Sequence, residues 1–345
     1  MLTFLPENDD MTGLNRRDFL KLSGAAAAIA LLPHGVARAD HLSAPPASLG
    51  RIASGWRQPV RKAAKVSADI VAYKSYDDII PLYAQVEGEA PWPSNPYWFQ
   101  TDDGYIHTAN VQPVENTPSG QIVRSIERPG VWLQVCVPIA GARARIDSQV
   151  VSRKLYYGTV YRGVEAVRDS AGEWWYRLQE GVAYSPGPYV PAWSMRYLSP
   201  ADVSTLSGGK EKVIQIDIAA QTVTCLEDDQ PVFSTRCATG LPGMITPRGE
   251  FRVIRKSYTS YMIGGSGASY YNLPGVAFPT YFTASGIAIH GTYWHHDYGR
   301  PKSHGCVNVP NDAAQWVFRW SEPPVPYTDH MLRVKKDEGT LIRVI

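Results

Sequence analysis

The chain has 345 residues, 44% of them hydrophobic and 19% charged, with a formal net charge of +2. That is length enough for two or three domains and too little positive charge to point to a nucleic-acid partner. Ten Trp and 20 Tyr beside 29 Gly and 27 Pro favour short strands and many turns over long helices. Scattered basic residues such as Arg143, Arg145 and Arg153 read as a solvated face, and four cysteines are too few for a disulfide scaffold. Cys225 and Cys237 flank a turn at 227–230 that puts them out of cross-strand register, so both are expected free. Cys136, in an apolar Val-Cys-Val context, reads as a buried thiol.

Residues 1–39 carry a targeting pattern. Paired Arg16-Arg17 precede an apolar run from Gly24 to Leu32, and Ala37-Arg38-Ala39 supplies small residues before Asp40. The run is short for a bilayer span, so no stable membrane span is expected once it is removed. The order of features resembles a twin-arginine export signal, which implies folding before translocation and a destination in the cell envelope, periplasm or cell wall, or outside the cell. Residues 40–68, rich in Ala, Ser, Pro and basic residues, read as a linker.

Residues 69–200 read as short strands separated by turns. Trp98–His107 and Trp175–Tyr184 follow one scheme: an aromatic pair enters a strand, an acidic-Gly turn reverses it, and an alternating strand leaves. That unit resembles the centre of SH3-like barrels of bacterial envelope proteins. It implies one or two non-catalytic modules, with Leu82-Tyr83-Ala84 and Tyr157-Gly158-Thr159-Val160 as earlier strands. A single irregular β domain with two hairpins is the other reading.

Residues 201–209 form a boundary, and the pattern then sharpens. Val213, Ile214, Ile216 and Ile218 alternate around Gln215 and Asp217, and a turn at Asp228-Asp229 leads to a second strand through Val232-Phe233-Ser234. Thr246-Pro247-Arg248-Gly249 is a tight turn feeding another strand. Tyr258 to Phe282, rich in Gly, Ser, Tyr and Pro, reads as a long loop or lid. Ser285–Ile289 is a short buried strand ending at His290. Asn311 is placed to cap a helix burying Ala313, Trp316, Val317 and Trp320, and 339–345 closes the sheet.

Four of the eight histidines and one of the four cysteines fall between Ile289 and Asn308. A thiol is mostly protonated at neutral pH, so a nucleophilic cysteine needs a base or a positive neighbour. His290, at a strand end sixteen residues before Cys306, supplies a candidate base. Gly305 removes a side chain where a carbonyl must approach, and backbone N–H groups there suit a developing oxyanion. The same residue types also offer metal ligands, but no C-x-x-C or H-E-x-x-H spacing appears, and no metal or other cofactor is expected.

Ser303-His304-Gly305-Cys306-Val307-Asn308, preceded by Ile289-His290-Gly291-Thr292, resembles the signature of the L,D-transpeptidases (YkuD-type catalytic domain). The likeness covers 210–345, including the opening alternating strand and Thr246-Pro247-x-Gly249. It implies a mainly β protein: a β-sandwich-like catalytic domain with short helices behind the SH3-like barrels. It also implies Cys306 as nucleophile and His290 as base, with His304 and Gly305 shaping the turn and oxyanion hole. Ser303 would orient a histidine, and Asn308 would hold the turn. The implied partners are peptidoglycan stem peptides: an acyl donor that loses D-Ala and an amine acceptor. L,D-carboxypeptidase action and attachment of a protein to peptidoglycan stay open beside cross-linking. Tyr261, Met262, Tyr271, Tyr281, Phe282, Gly291 and Trp294 are the expected substrate wall, and His295 and His296 the expected bystanders.

Overall fold

A computed structural model describes residues 48–180, 185–209 and 211–345. The export-type segment, residues 40–47 of the expected linker and the last four residues of the Trp175–Tyr184 repeat lie outside those residues. The described strands belong to one compact unit, Ala44–Ile345.

The chain is mainly β. Its first part departs from the linker reading, because Ser48–Ile52 and Arg57–Arg61 are strands. Ile52 and Val60 are fully buried there and join Ile80, Leu82, Phe99, Ile106 and Val111 in a small core. Their spacing hid them, since the polar residues between them outnumber the apolar anchors. Ser48–Ile52 pairs with Ile79–Leu82 on one side and Val111–Val114 on the other. The Tyr97–Thr101 and Gly104–His107 strands make the expected hairpin, with Trp98 opposite His107. Leu82-Tyr83-Ala84 is not one strand: Ile79–Leu82 and Ala84–Glu87 lie in different sheets.

A second β unit follows, its five strands ordered Ser185–Pro191, Trp174–Glu180, Val160–Arg168, Val131–Val135, Met195–Leu198. Tyr157-Gly158-Thr159 is a turn before its long strand, not part of it.

From Lys212 two five-stranded sheets face each other. In the first the order is Gln230–Arg236, Thr222–Glu227, Lys212–Asp217, Leu341–Val344, Gly249–Arg252. Asp228 and Asp229 join Thr222–Glu227 to Gln230–Arg236 with φ of 50° and 62°, the positive-φ pair that a two-residue reversal needs, so one more strand than expected lies between the opening strand and that turn. In the second the order is Val307–Val309, Ala288–Gly291, Thr280–Tyr281, Arg255–Ser257, Met331–Arg333. Ile214, Ile216, Val223 and Cys225 from the first sheet meet Ile289, Val307 and Val309 from the second, and the helix Asn311–Trp320 adds Ala314, Val317 and Phe318. All four cysteines are free.

Two expectations need correction here. Asn311 is the first helical residue rather than its cap; Pro310 holds the cap position, and the Asn311 amide reaches the Tyr157 carbonyl instead. Tyr258 to Phe282 is not a loop. Thr259–Gly264 and Tyr271–Ala277 form an antiparallel hairpin standing apart from both sheets. Tyr258, Phe278 and Phe282 at its base are buried in the main core. Phe282 packs edge-on to Phe251 and therefore does not line a substrate wall.

Candidate active site

The second sheet places the candidate pair, His290 and Cys306. The parallel register Ile289↔Val307 and His290↔Asn308 sets the histidine strand beside the cysteine strand, with Ala288 one step back beside Cys306. Side chains two residues apart share a sheet face, so Cys306, His290 and Asn308 project to one side, while Ile289, Val307 and Val309 project into the core.

His290 Nδ1 donates to the Gly291 carbonyl at 2.9 Å, which leaves Nε2 with its lone pair. Burial lowers the imidazole's pKa to about 4, with the Gly291 hydrogen bond opposing weakly. The Cys306 thiol is pushed up, chiefly by burial, with the Ala288 N–H working against it. Both causes favour neutral partners, so the resting pair is thiol and imidazole rather than thiolate and imidazolium. The thiol points to the Gly286 carbonyl at 3.9 Å and makes no hydrogen bond to His290 in this state.

The turn bearing the cysteine is held from several directions. Gly305 sits at φ +113°, a conformation costly for any other residue. The Ser303 hydroxyl accepts from Gly305 N–H at 3.1 Å and donates to the Cys306 carbonyl. Ser303 thus clamps the turn's own backbone and does not orient a histidine. Thr246 Oγ1 donates to the Gly305 carbonyl at 2.8 Å and accepts from Gly240 N–H at 3.0 Å. Fixing that carbonyl fixes the planar Gly305–Cys306 peptide, and with it the direction of the Cys306 N–H. In the sequence Thr246 stood in a turn and in the Thr246-Pro247-x-Gly249 likeness, with no role of its own.

His304 is exposed, and its ring lies 5.0 Å from that of Tyr271, joining the turn to the hairpin instead of lining the oxyanion side. Gly291 is buried against the helix start, where a Cβ would lie 3.1 Å from the Asn311 Cα; close packing, not substrate contact, requires it. Trp294 lies 5.8 Å from the His290 ring. Tyr261 is exposed on the hairpin, while Tyr281 is buried and donates to Ser260 Oγ at 3.0 Å. Met262, on the same hairpin, is half-buried and pairs with Leu273.

His295 is not a bystander. It is buried, its Nδ1 accepts from Asp297 N–H at 3.1 Å, and its Nε2 lies 2.8 Å from the Asn308 side-chain amide. A neutral ring accepting at Nδ1 carries its proton on Nε2, so the amide turns its oxygen to the histidine. Asn308 thereby ties its strand to the spacer loop rather than holding the turn.

That loop, 292–300, is fixed by the first β unit. Arg51, fully buried, hydrogen-bonds the Tyr293 carbonyl, pairs with Asp77 at 3.0 Å and lies 4.1 Å over the Tyr156 ring. Asn95 donates to Asp297 at 3.1 Å, His296 N–H to the Ala109 carbonyl at 2.9 Å, and Arg300 stacks on Trp92. No sequence motif marked Arg51 or Asn95. Among the described residues no group of three or more His, Cys, Asp or Glu is placed to hold a metal, and no helix is long and apolar enough to cross a membrane.

Residues 211–344 match the L,D-transpeptidase catalytic domain family, YkuD, and residues 13–33 match the twin-arginine translocation signal sequence. No curated protein matches the chain. Partial likenesses exist to solved structures. An Enterococcus faecium L,D-transpeptidase mutant is 23% identical over 40% of this chain and 50% of its own, with a TM-score of 0.32. One from Xylanimonas cellulosilytica is 26% identical over 41% and 63%, at 0.29. One from Mycobacterium smegmatis is 18% identical over 62% and 99%, at 0.33. The chain spans about half the length of the first of these. It carries an L,D-transpeptidase catalytic domain of the YkuD type together with a twin-arginine export signal.

Proposed function

We propose that the protein is an exported cysteine acyltransferase that joins peptidoglycan stem peptides through a thioester on Cys306. The observation that carries this reading is the register of the two parallel strands, which sets His290 and Cys306 on one face with the imidazole Nε2 left as a base.

In this reading the thiol turns from the Gly286 carbonyl toward His290. Its proton passes to Nε2 as sulfur attacks the donor carbonyl, so that no thiolate accumulates beforehand. The oxyanion forms beside the Cys306 N–H, whose direction Thr246 and Ser303 fix through the turn. The C–N bond to the terminal D-Ala breaks, and His290 returns the proton to the leaving amine. The amine of a second stem then attacks the thioester, giving its proton to His290, and the thiol is restored. Water in place of that amine gives the tripeptide, and an amine on a wall protein gives attachment. The hairpin bearing Tyr271 walls the cleft on the His304 side and limits water. The two β units ahead of the catalytic domain are taken as SH3-like positioning modules, which their antiparallel aromatic strands support.

The test is to incubate the protein with a disaccharide tetrapeptide and weigh the products. Cross-linked dimer with loss of D-Ala is the expected result, and tripeptide alone would make it a carboxypeptidase. Unchanged substrate, or equal turnover by Cys306→Ala, would sink the enzyme reading.

A further inference from the structure

One row of residues runs straight across the second sheet. Cys306 stands beside Ala288, Ala288 opposite Tyr281, Tyr281 opposite Arg255, and Arg255 opposite Arg333. Directly opposed residues share a face, so the nucleophile and the two arginines project to the same side. Three strand spacings separate the Cα atoms of Cys306 and Arg255, about 14 Å, and the long arginine side chain shortens the gap. The residue beside Cys306 is only an alanine, which leaves the row low at that point.

The far end of the row opens into a cavity of about 300 Å³ between the second β unit and the hairpin, lined by Arg255 together with Arg153, Arg162, Tyr261, Tyr281 and His330. No Asp or Glu is among its described lining residues. The Arg255 guanidinium lies 3.7 Å over the Tyr281 ring, which in turn is fixed by its bond to Ser260. Stacking holds the guanidinium plane and leaves its N–H fork for an acceptor. Neither Arg255 nor Arg333 forms an ion pair among the described residues, and like charges directly opposed across a ladder repel. An anion between or beside them removes that cost.

We propose that this cavity is a carboxylate subsite. It would bind, through Arg255, an acidic group of the same acyl donor whose carbonyl Cys306 attacks. An extended peptide covers about 3.3 Å per residue, so a carboxylate a few residues from the scissile bond spans the row. The hairpin that roofs the cavity also carries Tyr271 to His304, so one element overhangs both ends of the bound chain. The subsite deepens the transpeptidase reading and rests on it for the identity of the donor.

Binding measured on Cys306→Ala protein separates the two ideas, because it needs no turnover. The probes are a stem tetrapeptide and the same peptide with every carboxylate but the terminal one amidated. The expected result is that amidation weakens binding at least about tenfold, as for a lost charge-assisted hydrogen bond, and that Cys306→Ala/Arg255→Gln binds both peptides alike. Equal affinity for the two peptides, including no measurable binding of either, would overturn the subsite, as would a preference surviving Arg255→Gln. The peptide comparison leaves Arg255 in place, so a folding defect of the double variant does not blunt it. Failure of wild type to turn over the tetrapeptide would instead defeat the transpeptidase reading, whatever the binding shows.

Discussion

The Arg51 guanidinium hydrogen-bonds the Tyr293 carbonyl, joining the first strand of the N-terminal β unit to the loop between the histidine and the cysteine. The same side chain is paired with Asp77, whose carboxylate is also nearly buried. Without Arg51, Asp77 keeps Lys154 at 2.8 Å, but the Tyr293 carbonyl and the Gln112 side-chain oxygen lose a charged donor. Arg51→Ala is expected to lower unfolding free energy by about 2–3 kcal/mol in urea titrations. It should also reduce donor turnover by more than the unfolded fraction accounts for, because the loop loses its hold. Turnover per folded molecule equal to wild type would show that the clamp is purely a matter of stability.

Thr246→Val keeps the shape and removes the hydroxyl that holds the Gly305 carbonyl. Removing a single oxyanion donor costs about 100- to 1,000-fold in kcat, and misdirecting one costs less. We expect kcat to fall ten- to 100-fold with KM little changed, and stability to fall by about 1–2 kcal/mol for the unmade hydrogen bonds. Steady-state kinetics with the tetrapeptide decides this. A change confined to KM would place Thr246 in substrate binding instead.

The ionisation of the resting pair is open to direct measurement. The Cys306 thiol is raised above its ordinary value and the His290 imidazole lowered to about 4, so the thiolate–imidazolium pair is disfavoured. The rate of Cys306 alkylation by iodoacetamide, followed by mass, is expected to climb with pH through 9 without levelling. A plateau between pH 5 and 8 would mean that the ion pair is already formed at rest.

Stability in acid follows from the same burial. His290 and His295 are both held below the usual imidazole range, in each case chiefly by burial. A depressed group binds fewer protons folded than unfolded, so stability rises with pH between the two pKa values. For His290 that window runs from about 4 to 6.5. Each histidine is expected to contribute up to about 1.4 kcal/mol of lost stability per pH unit on acidifying through it. Urea midpoints at pH 7 and pH 5 check the effect, and His295→Phe should flatten the slope.

His295→Phe also removes the partner of the Asn308 amide. Because Asn308 lies opposite His290 in register, the loss is expected to reduce kcat several-fold while leaving the alkylation rate of Cys306 unchanged. If both rates fell together, His295 would be supporting the whole cysteine turn.

That His290 and Cys306 would be brought to neighbouring strands was legible because the signal is local: strand, glycine, sixteen residues, and a Ser-His-Gly-Cys turn all lie within twenty positions. The alternating strand at Lys212 and the helix from Asn311 were legible for the same reason, each showing its own period. The hairpin Thr259–Gly264 with Tyr271–Ala277 was hidden because its first strand is half-buried or exposed throughout, so no apolar alternation marked it. Its aromatic richness also drew Phe282 into the expected substrate wall, although that ring belongs to the core. Arg51 and Asn95 left no trace because their partners lie 242 and 202 residues away. Nor did the chain's order foretell that Cys306 and Arg255 would share a row, since only the sheet brings them into line.

The clamp on the 292–300 loop joins the assembly of the active centre to the route by which the protein travels. The first β unit lies outside the catalytic domain in sequence, yet its Arg51, Asn95 and Ala109 set the segment linking His290 to Cys306. A chain released before that unit has docked would carry a cysteine without a settled partner. The twin-arginine pathway conveys proteins already folded, so the proposed site would be assembled before the chain leaves the compartment where it is made.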